Sequence, residues 1–351
     1  MSSILITGGA GFIGSHTCLL LLESGYKIFV IDAFVNSSPK SIENVLLILK
    51  AKAIDARERI HLIKGDIKNP NDIERIFKMS QKLNNEIEAV IHFAGLKSVS
   101  ESILEPFNYW ENNVSGTINL LKIMKKFNCR NIVFSSSATV YKSKSDTLIN
   151  ESDICAPINP YGYTKLTIER ILRDAYNSEP SKWRIASLRY FNPVGAHESG
   201  FIGEDPLEKP NSIYPQITRV AIGKLDKIKI FGSDWITNDG TGVRDYIHVM
   251  DLAKGHILAL NYLIKEKPQN LTVNLGTGKG TSVLELIKVF EKVNKVKIPY
   301  TFVDRRPGDN AYVVANNSLA RSILNFKPSR TIEDICRDGW NWQLQNPNGF
   351  E

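Results

Sequence analysis

The chain has 351 residues, of which 42% are hydrophobic and 23% charged. This suits an ordinary soluble globular protein with one large or two medium domains. The formal net charge is +7, but it is dispersed without a run of five like charges. The dispersal argues against a nucleic-acid footprint and leaves a mild bias towards anionic ligands such as polyphosphates. Cys18, Cys129, Cys155 and Cys336 lie far apart with no C-x-x-C spacing, which predicts free thiols in a reducing compartment. A strand-like run follows Met1 within three residues, leaving no room for a signal peptide. No apolar run approaches the ~18 residues that span a membrane. Together these features predict a cytoplasmic protein.

Residues 3–7 read as a strand, followed by Gly8-Gly9-Ala10-Gly11-Phe12-Ile13-Gly14 and an amphipathic helix ending at Gly25. Gly8, Gly11 and Gly14 allow a tight turn, close approach of backbone N–H groups to a pyrophosphate, and packing of the helix on the strand. The second strand, Tyr26 to Ile31, ends at Asp32. A carboxylate there accepts hydrogen bonds from an adenosine ribose and repels a 2′-phosphate, favouring NAD over NADP. After a helical insertion at 40–58, His61 to Ile63 leads into Gly65-Asp66-Ile67, and Asn69-Pro70 opens a further helix. Ala89 to Gly95 is a fourth strand. Ligands sit at strand carboxyl ends in such sheets, placing Asp66, Ala94, Gly95 and Lys97 around the adenine and phosphates. A helix over roughly 105–127 precedes strand five (Asn131 to Phe134), which ends in Ser135-Ser136-Ser137-Ala138-Thr139-Val140-Tyr141.

The segment Asn159-Pro160-Tyr161-Gly162-Tyr163-Thr164-Lys165 reads as the first turns of a helix, with Asn159 as cap and Pro160 at the first position. Tyr161 and Lys165, four apart, share one face. A free phenol titrates near pH 10. A cation about 5 Å away at an effective dielectric near 20 favours the phenolate by roughly 3 kcal/mol. Lys165, the helix dipole and an oxidised nicotinamide are together expected to bring Tyr161 towards neutrality. A buried strand, Trp183 to Phe191, ends at Asn192-Pro193. The alternation predicts an α/β fold: a Rossmann-type, doubly wound, mostly parallel sheet of seven strands, if a final short one is included. The pattern changes near residue 193, so residues 1–192 read as an NAD-binding domain and 193–351 as a smaller α+β substrate domain over the crevice. In the latter, Arg244 and Arg306 sit in loops where arginine can take phosphate oxygens bidentately, or pair with neighbouring aspartates.

Several longer blocks are more specific. They include His92-Phe93-Ala94-Gly95-Leu96-Lys97, Leu188-Arg189-Tyr190-Phe191-Asn192-Pro193-Val194-Gly195-Ala196-His197 and Asp239-Gly240-Thr241-Gly242-Val243-Arg244-Asp245-Tyr246-Ile247-His248-Val249. Through these and the Gly8–Gly14 and Ser135–Tyr141 blocks, the chain resembles the extended short-chain dehydrogenase/reductases nearly end to end. Within them it resembles the UDP-glucose 4-epimerase family. The resemblance implies tightly bound NAD held at Gly8, Gly11, Phe12, Ile13, Gly14, Asp32, Asn36, Asp66, Ile67, Phe93, Ala94, Lys97, Asn112, Ser135, Tyr161, Lys165 and Tyr190. It implies catalysis by Ser137, Tyr161 and Lys165. It places the UDP-sugar at Lys97, Ser137, Asn192, Ser212, Ile230, Phe231, Arg244, Arg306, Asp309 and Val313, with no metal. It also implies a homodimer formed through the Tyr161 helix and the long helix before strand five.

The chain departs from the family in four places. Tyr163 replaces a basic residue between the catalytic pair, and Lys142 replaces a glycine. Ser212 replaces a uridine-contacting asparagine, and Val313 replaces a bulkier gate, leaving room for N-acetylated UDP-sugars. The competing expectations are a 4,6-dehydratase or decarboxylase of the same fold, or a non-catalytic NAD-sensing regulator. A dehydratase needs an acid directly after strand five, where this chain has Ser137-Ala138-Thr139. A silent regulator usually lacks the tyrosine or the lysine, and both are present.

Overall fold

The computed structural model describes residues 2–142, 147–206, 212–306 and 309–350. Strand β1 (Ser3–Thr7) is wholly buried, as its apolar centre Ile4-Leu5-Ile6 between two layers of helices requires. Helix α1 (Phe12–Glu23) follows the glycine turn, then β2 (Lys27–Asp32), α2 (Lys40–Ala51), β3 (Ile60–Lys64), α3 (Pro70–Lys82) and β4 (Ile87–His92). Asn69 caps α3 and Pro70 occupies its first turn, as the sequence predicts. A short helix α4 (Val99–Leu104) comes first, and the expected helix over 105–127 follows as the continuous run of α5 (Pro106–Tyr109), a π-helical turn (Trp110–Ser115) and α6 (Gly116–Lys126). Pro106 cannot donate into a preceding helix, which separates α4 from α5, and the wider turn carries Asn113. Strand β5 (Asn131–Ser137), α7 (Pro160–Ser178) and β6 (Arg184–Tyr190) follow.

Beyond them come β7 (Asn192–Val194), α8 (Ile213–Ala221), β8 (Ile228–Phe231), β9 (Val243–Arg244), β10 (Tyr246–His248), α9 (Val249–Lys265) and β11 (Gln269–Leu275). The chain ends through β12 (Thr281–Ser282), α10 (Val283–Asn294), β13 (Tyr300–Val303), β14 (Tyr312–Val313), α11 (Ser318–Leu324) and α12 (Ile332–Gln345). The predicted capping box Ser282–Glu285 is present at α10.

The main sheet has seven strands in the order β11-β6-β5-β4-β1-β2-β3. The pairs β1–β2, β1–β4, β2–β3 and β4–β5 are parallel. The predicted doubly wound sheet of seven strands is therefore present. Its seventh strand, however, is β11, far along the chain, rather than a short strand directly after β6. Strand order reverses between β1 and β4, and this switch point is where such sheets leave a crevice at strand carboxyl ends.

The chain divides into two compact units, neither one continuous stretch. The first comprises Met1–Lys142, Ile154–Arg189 and Ala253–Val273; the second comprises Ser143–Asp153, Tyr190–Leu252 and Asn274–Glu351. Residues 253–273 thus fold with the first unit, although they lie beyond the 192/193 division expected from the sequence. The first unit's core joins Leu5, Phe29, Val90, Leu120, Phe134 and Trp183. The second's joins Ile217, Ile230, Leu286, Phe290 and Ile335. The second unit carries the small sheets β10–β7, β12–β9–β14 and β13–β8.

Candidate active site

In the first unit, the turn after β1 is built for close backbone approach. Gly8 has φ +69°, and a Cβ there would lie 2.7 Å from Ala94 N, in the loop after β4. The two loops flanking the switch point therefore touch only because residue 8 has no side chain. Phe93 N and Ala94 N both donate to Thr7 O at 3.0 Å. A Cβ on Gly14 would meet Gly9 Cα at 2.7 Å, whereas one on Gly11 would meet only Gly8 O, at 3.3 Å. Gly14 is thus needed for helix packing, and Gly11 leaves open space beside the first turn of α1. No side chain caps that turn, so the N–H groups around Phe12 and Ile13 are available to an anion.

Asp32, buried at the end of β2, accepts from Ala10 N at 2.9 Å, Phe34 N at 2.9 Å and Ser37 Oγ at 2.8 Å. It holds the glycine turn and the loop containing half-buried Asn36, and its remaining lone pairs suit ribose hydroxyls. Asp66 follows β3 and accepts from Lys68 N at 2.8 Å. Ile67 is buried next to it. Lys97 is exposed in the loop after β4, and Asn112 is half-buried in the π-helical turn. Gly11's open side, the uncapped helix and the Asp32 carboxylate together fit a dinucleotide such as NAD.

Asn113, next to Asn112, escaped the sequence reading. Its side chain accepts from Leu96 N at 2.8 Å and donates to Leu96 O and Thr164 Oγ1, each at 3.1 Å. It therefore clamps the loop after β4 to α7. The wide helical turn that aims it leaves no local signal in the sequence.

The catalytic corner is set by the start of α7. Asn159 Oδ1 accepts from Gly162 N at 2.8 Å and Pro160 is in the first turn, as expected. A Cβ on Gly162 would lie 2.7 Å from Thr139 O, so this glycine lets α7 seat against the turn after β5. That seating brings Tyr161 to Ser137, whose hydroxyl hydrogen-bonds the phenol. Ser137 Oγ also accepts from Thr139 N at 3.2 Å and lies 3.0 Å from Thr139 Oγ1. Lys165 Nζ donates to Ser135 O at 2.9 Å and lies 5.8 Å from the Tyr161 ring centre. Tyr161, Lys165, Ser135 and Ser137 are all buried. Tyr163 is 48% exposed, turned away as its spacing predicts.

The electrostatics differ from the sequence expectation. Burial pushes the Tyr161 phenol above its ordinary value, and only the Ser137 hydrogen bond pulls it back. Burial also draws the Lys165 amine down to about 8, with Glu169 opposing the fall. Desolvation in this corner is a contribution that the helix-surface spacing of Tyr161 and Lys165 does not contain.

The second unit gathers a cationic cluster. Arg244 donates to Val243 O at 2.9 Å and Asn310 O at 2.8 Å, and pairs with Asp309 at 3.5 Å. The Arg306 guanidinium stacks 3.7 Å over the Phe231 ring. Burial lowers its affinity for a proton, Asp309 opposes this and Arg244 adds to it. Two arginines facing one carboxylate retain an excess positive charge suited to phosphates. Val313 pairs in register with Arg244, and Asn192 with Tyr246. Ile230 is buried and Phe231 half-buried in β8, and Tyr190 is half-buried at the end of β6. Ser212 is exposed at the N-cap of α8, and no contact among the described residues joins it to the arginines. Residues 307 and 308, between Arg306 and Asp309, lie outside the described residues.

The family model described as GDP-mannose 4,6 dehydratase matches residues 5–339. A UDP-glucose 4-epimerase 2 of Arabidopsis thaliana is 49% identical over 348 residues, covering 99% of this chain and 97% of that protein. A Bacillus subtilis UDP-glucose 4-epimerase is 47% identical, with 99% of each covered. The chain belongs to the UDP-glucose 4-epimerase family. A solved member from Bifidobacterium longum, in complex with NAD+ and UDP, superposes with a TM-score of 0.91 at 46% identity, covering 99% of this chain and all of that one. The dehydratase in the family model's description finds no counterpart at β5, which ends in Ser137 and turns through Ala138 and Thr139 without an acid.

Proposed function

We propose that the chain interconverts UDP-galactose and UDP-glucose by epimerising the sugar at C4 through a 4-keto intermediate. The observation that carries this is the buried corner in which Ser137, Tyr161 and Lys165 converge, without the acid a dehydratase requires. Tyr161 removes the proton from the 4-hydroxyl and later returns it, while Ser137 hydrogen-bonds the 4-oxygen. Lys165 supplies the cation that favours the phenolate. Gly8–Gly14, Asp32, Asp66, Ile67, Phe93, Ala94, Lys97, Asn112 and Tyr190 would hold NAD, which would supply the acceptor and donor of hydride at C4. Arg244, Arg306, Asp309, Phe231, Ile230, Asn192 and Ser212 hold the UDP, so the ketone turns over without escaping. In this reading residues 1–192 serve the cofactor and 193–351 the nucleotide sugar.

The test is incubation of the purified protein with UDP-galactose and no added cofactor, following the anomeric signals by NMR. UDP-glucose should appear. Silence both without and with added NAD would reject the epimerase reading in favour of another nucleotide-sugar reaction or a regulator. UDP-N-acetylglucosamine in parallel tests Val313, whose small side chain leaves room for the N-acetyl group; no turnover removes that extension.

The chain is also proposed to act in the cytoplasm as a homodimer. No helix among the described residues is long and apolar enough to cross a membrane. Ile103, Leu104, Phe107 and Tyr163 are exposed on α4, α5 and α7, an apolar face consistent with a second copy docking there. Phe107→Asp is expected to convert the dimer to monomer by light scattering. A monomeric wild type, or a variant still dimeric, would count against this face.

A further inference from the structure

Three successive serines at the end of β5 take different partners. The Ser135 carbonyl accepts from Lys165, and its hydroxyl lies 2.8 Å from His256 Nε2. Ser137 binds Tyr161. Ser136 alternates to the other side of the strand and donates to Glu169 Oε1 at 2.5 Å. Glu169, one helical turn beyond Lys165, is buried and takes Arg189 through two bonds, 2.9 Å from Nε to Oε1 and 2.6 Å from Nη2 to Oε2. Arg189 Nη1 donates to the Tyr141 hydroxyl at 3.0 Å. A charge pair is therefore sealed beneath the catalytic corner, with its carboxylate on the helix that carries Tyr161 and Lys165. Burying two charges is expensive, and a structural role alone would be served as well by apolar packing.

We propose that Glu169 is the positioning residue of the catalytic pair, its carboxylate fixed by Arg189 and Ser136 one turn from Lys165. It acts in two ways. Its bond to Ser136 fixes the strand end that presents Ser135 O to Lys165 and Ser137 Oγ to Tyr161. Its charge opposes the loss of the Lys165 proton that burial favours. The other titratable groups around this amine do not supply that charge. Tyr161 lies on the same helix as an acid of its own, and His256 is hydrogen-bonded to the hydroxyl of Ser135, whose carbonyl takes Lys165. His92 on β4 is held down to about 3 by burial and by Lys165; between Thr7 and Thr117, it stays neutral at working pH. Arg189 keeps its proton, the Glu169 and Tyr141 contributions outweighing burial.

The role of Glu169 in turnover rests on the epimerase reading, but its effect on charge does not, and the test separates them. Glu169→Gln should move the alkaline limb of the turnover–pH profile down by about one pH unit as Lys165 loses its proton earlier. The ionisation of Tyr161, read as phenolate absorbance of the protein minus that of Tyr161→Phe, should move up. A purely structural Glu169 would lower the melting temperature and turnover and move neither titration. Removing the carboxylate strands Arg189, so Glu169→Gln combined with Arg189→Met is measured alongside and should show shifts of the same sign but smaller, because the Arg189 charge is removed as well. Unmoved titrations in both variants overturn the proposal. Failure of both variants to fold does so too, because the carboxylate would then serve the fold. If the wild type epimerises nothing, the functional reading fails while the phenolate titration still judges Glu169.

Discussion

Tyr161→Phe is expected to lower turnover of UDP-galactose by about 10³-fold, within the range for loss of a positioned acid–base group. The purified variant should still carry its NAD. The substitution removes one hydroxyl and keeps the buried ring, so no cavity opens and α7 keeps its seat against Thr139. Ser137 loses one hydrogen-bond partner but keeps its contacts with Thr139. The checks are the turnover number and the cofactor released on denaturation. Turnover within tenfold of wild type would mean that another group moves the proton.

Lys165→Met should be at least as severe and different in kind. It removes the donor to Ser135 O and the only amine near the Tyr161 ring among the described residues. Turnover is expected to fall about 10³-fold, on the scale of losing a preorganised charge, and NAD retention should fall with it. The pH dependence has a definite sign. The amine titrates at about 8 in the protein alone, so the cation is present below that pH and lost as pH rises through it. Wild-type turnover should therefore decline on the alkaline side, and Lys165→Met should lack that limb. A variant that lost turnover but kept both the limb and its NAD would move these roles to another residue. Because burial raises the phenol, the positive charge of oxidised NAD would add to that of Lys165 in bringing Tyr161 into range. Reduced NAD would release that hold, which suits a group that must alternate between base and acid.

Much of the fold was legible because its signals are local. Gly8 at positive φ, the caps Asn69 and Asn159, and the Ser282–Glu285 box each lie within a few residues of the element they set. The order of apolar runs then gave β1 to β6. The seventh strand was not legible: Gln269–Leu275 is polar at its start, and only pairing with β6 makes it part of the sheet. The site divided in the same way. Tyr161 and Lys165 stand out by spacing once the Gly8–Gly14 and Ser135–Tyr141 blocks give it context, whereas Asn113 meets Thr164 and Glu169 meets Arg189 only through tertiary contact. The burial that opposes ionisation of Tyr161 was missed for a related reason, since burial is a property of the assembled corner and not of the helix.

The placement of β11 also affects how the protein is made. A ribosome emits β6 about eighty residues before the end of the segment that completes the first unit, roughly 4–16 s of synthesis at 5–20 residues per second. Throughout that interval β6 is an open edge, offering unpaired backbone groups beside Ile185, Ala186 and Leu188. The nascent chain must carry a nearly finished sheet while it produces a large part of another folding unit, Tyr190–Leu252. Its solubility in the cell is therefore set as much by what shields β6 during translation as by the stability of the completed protein.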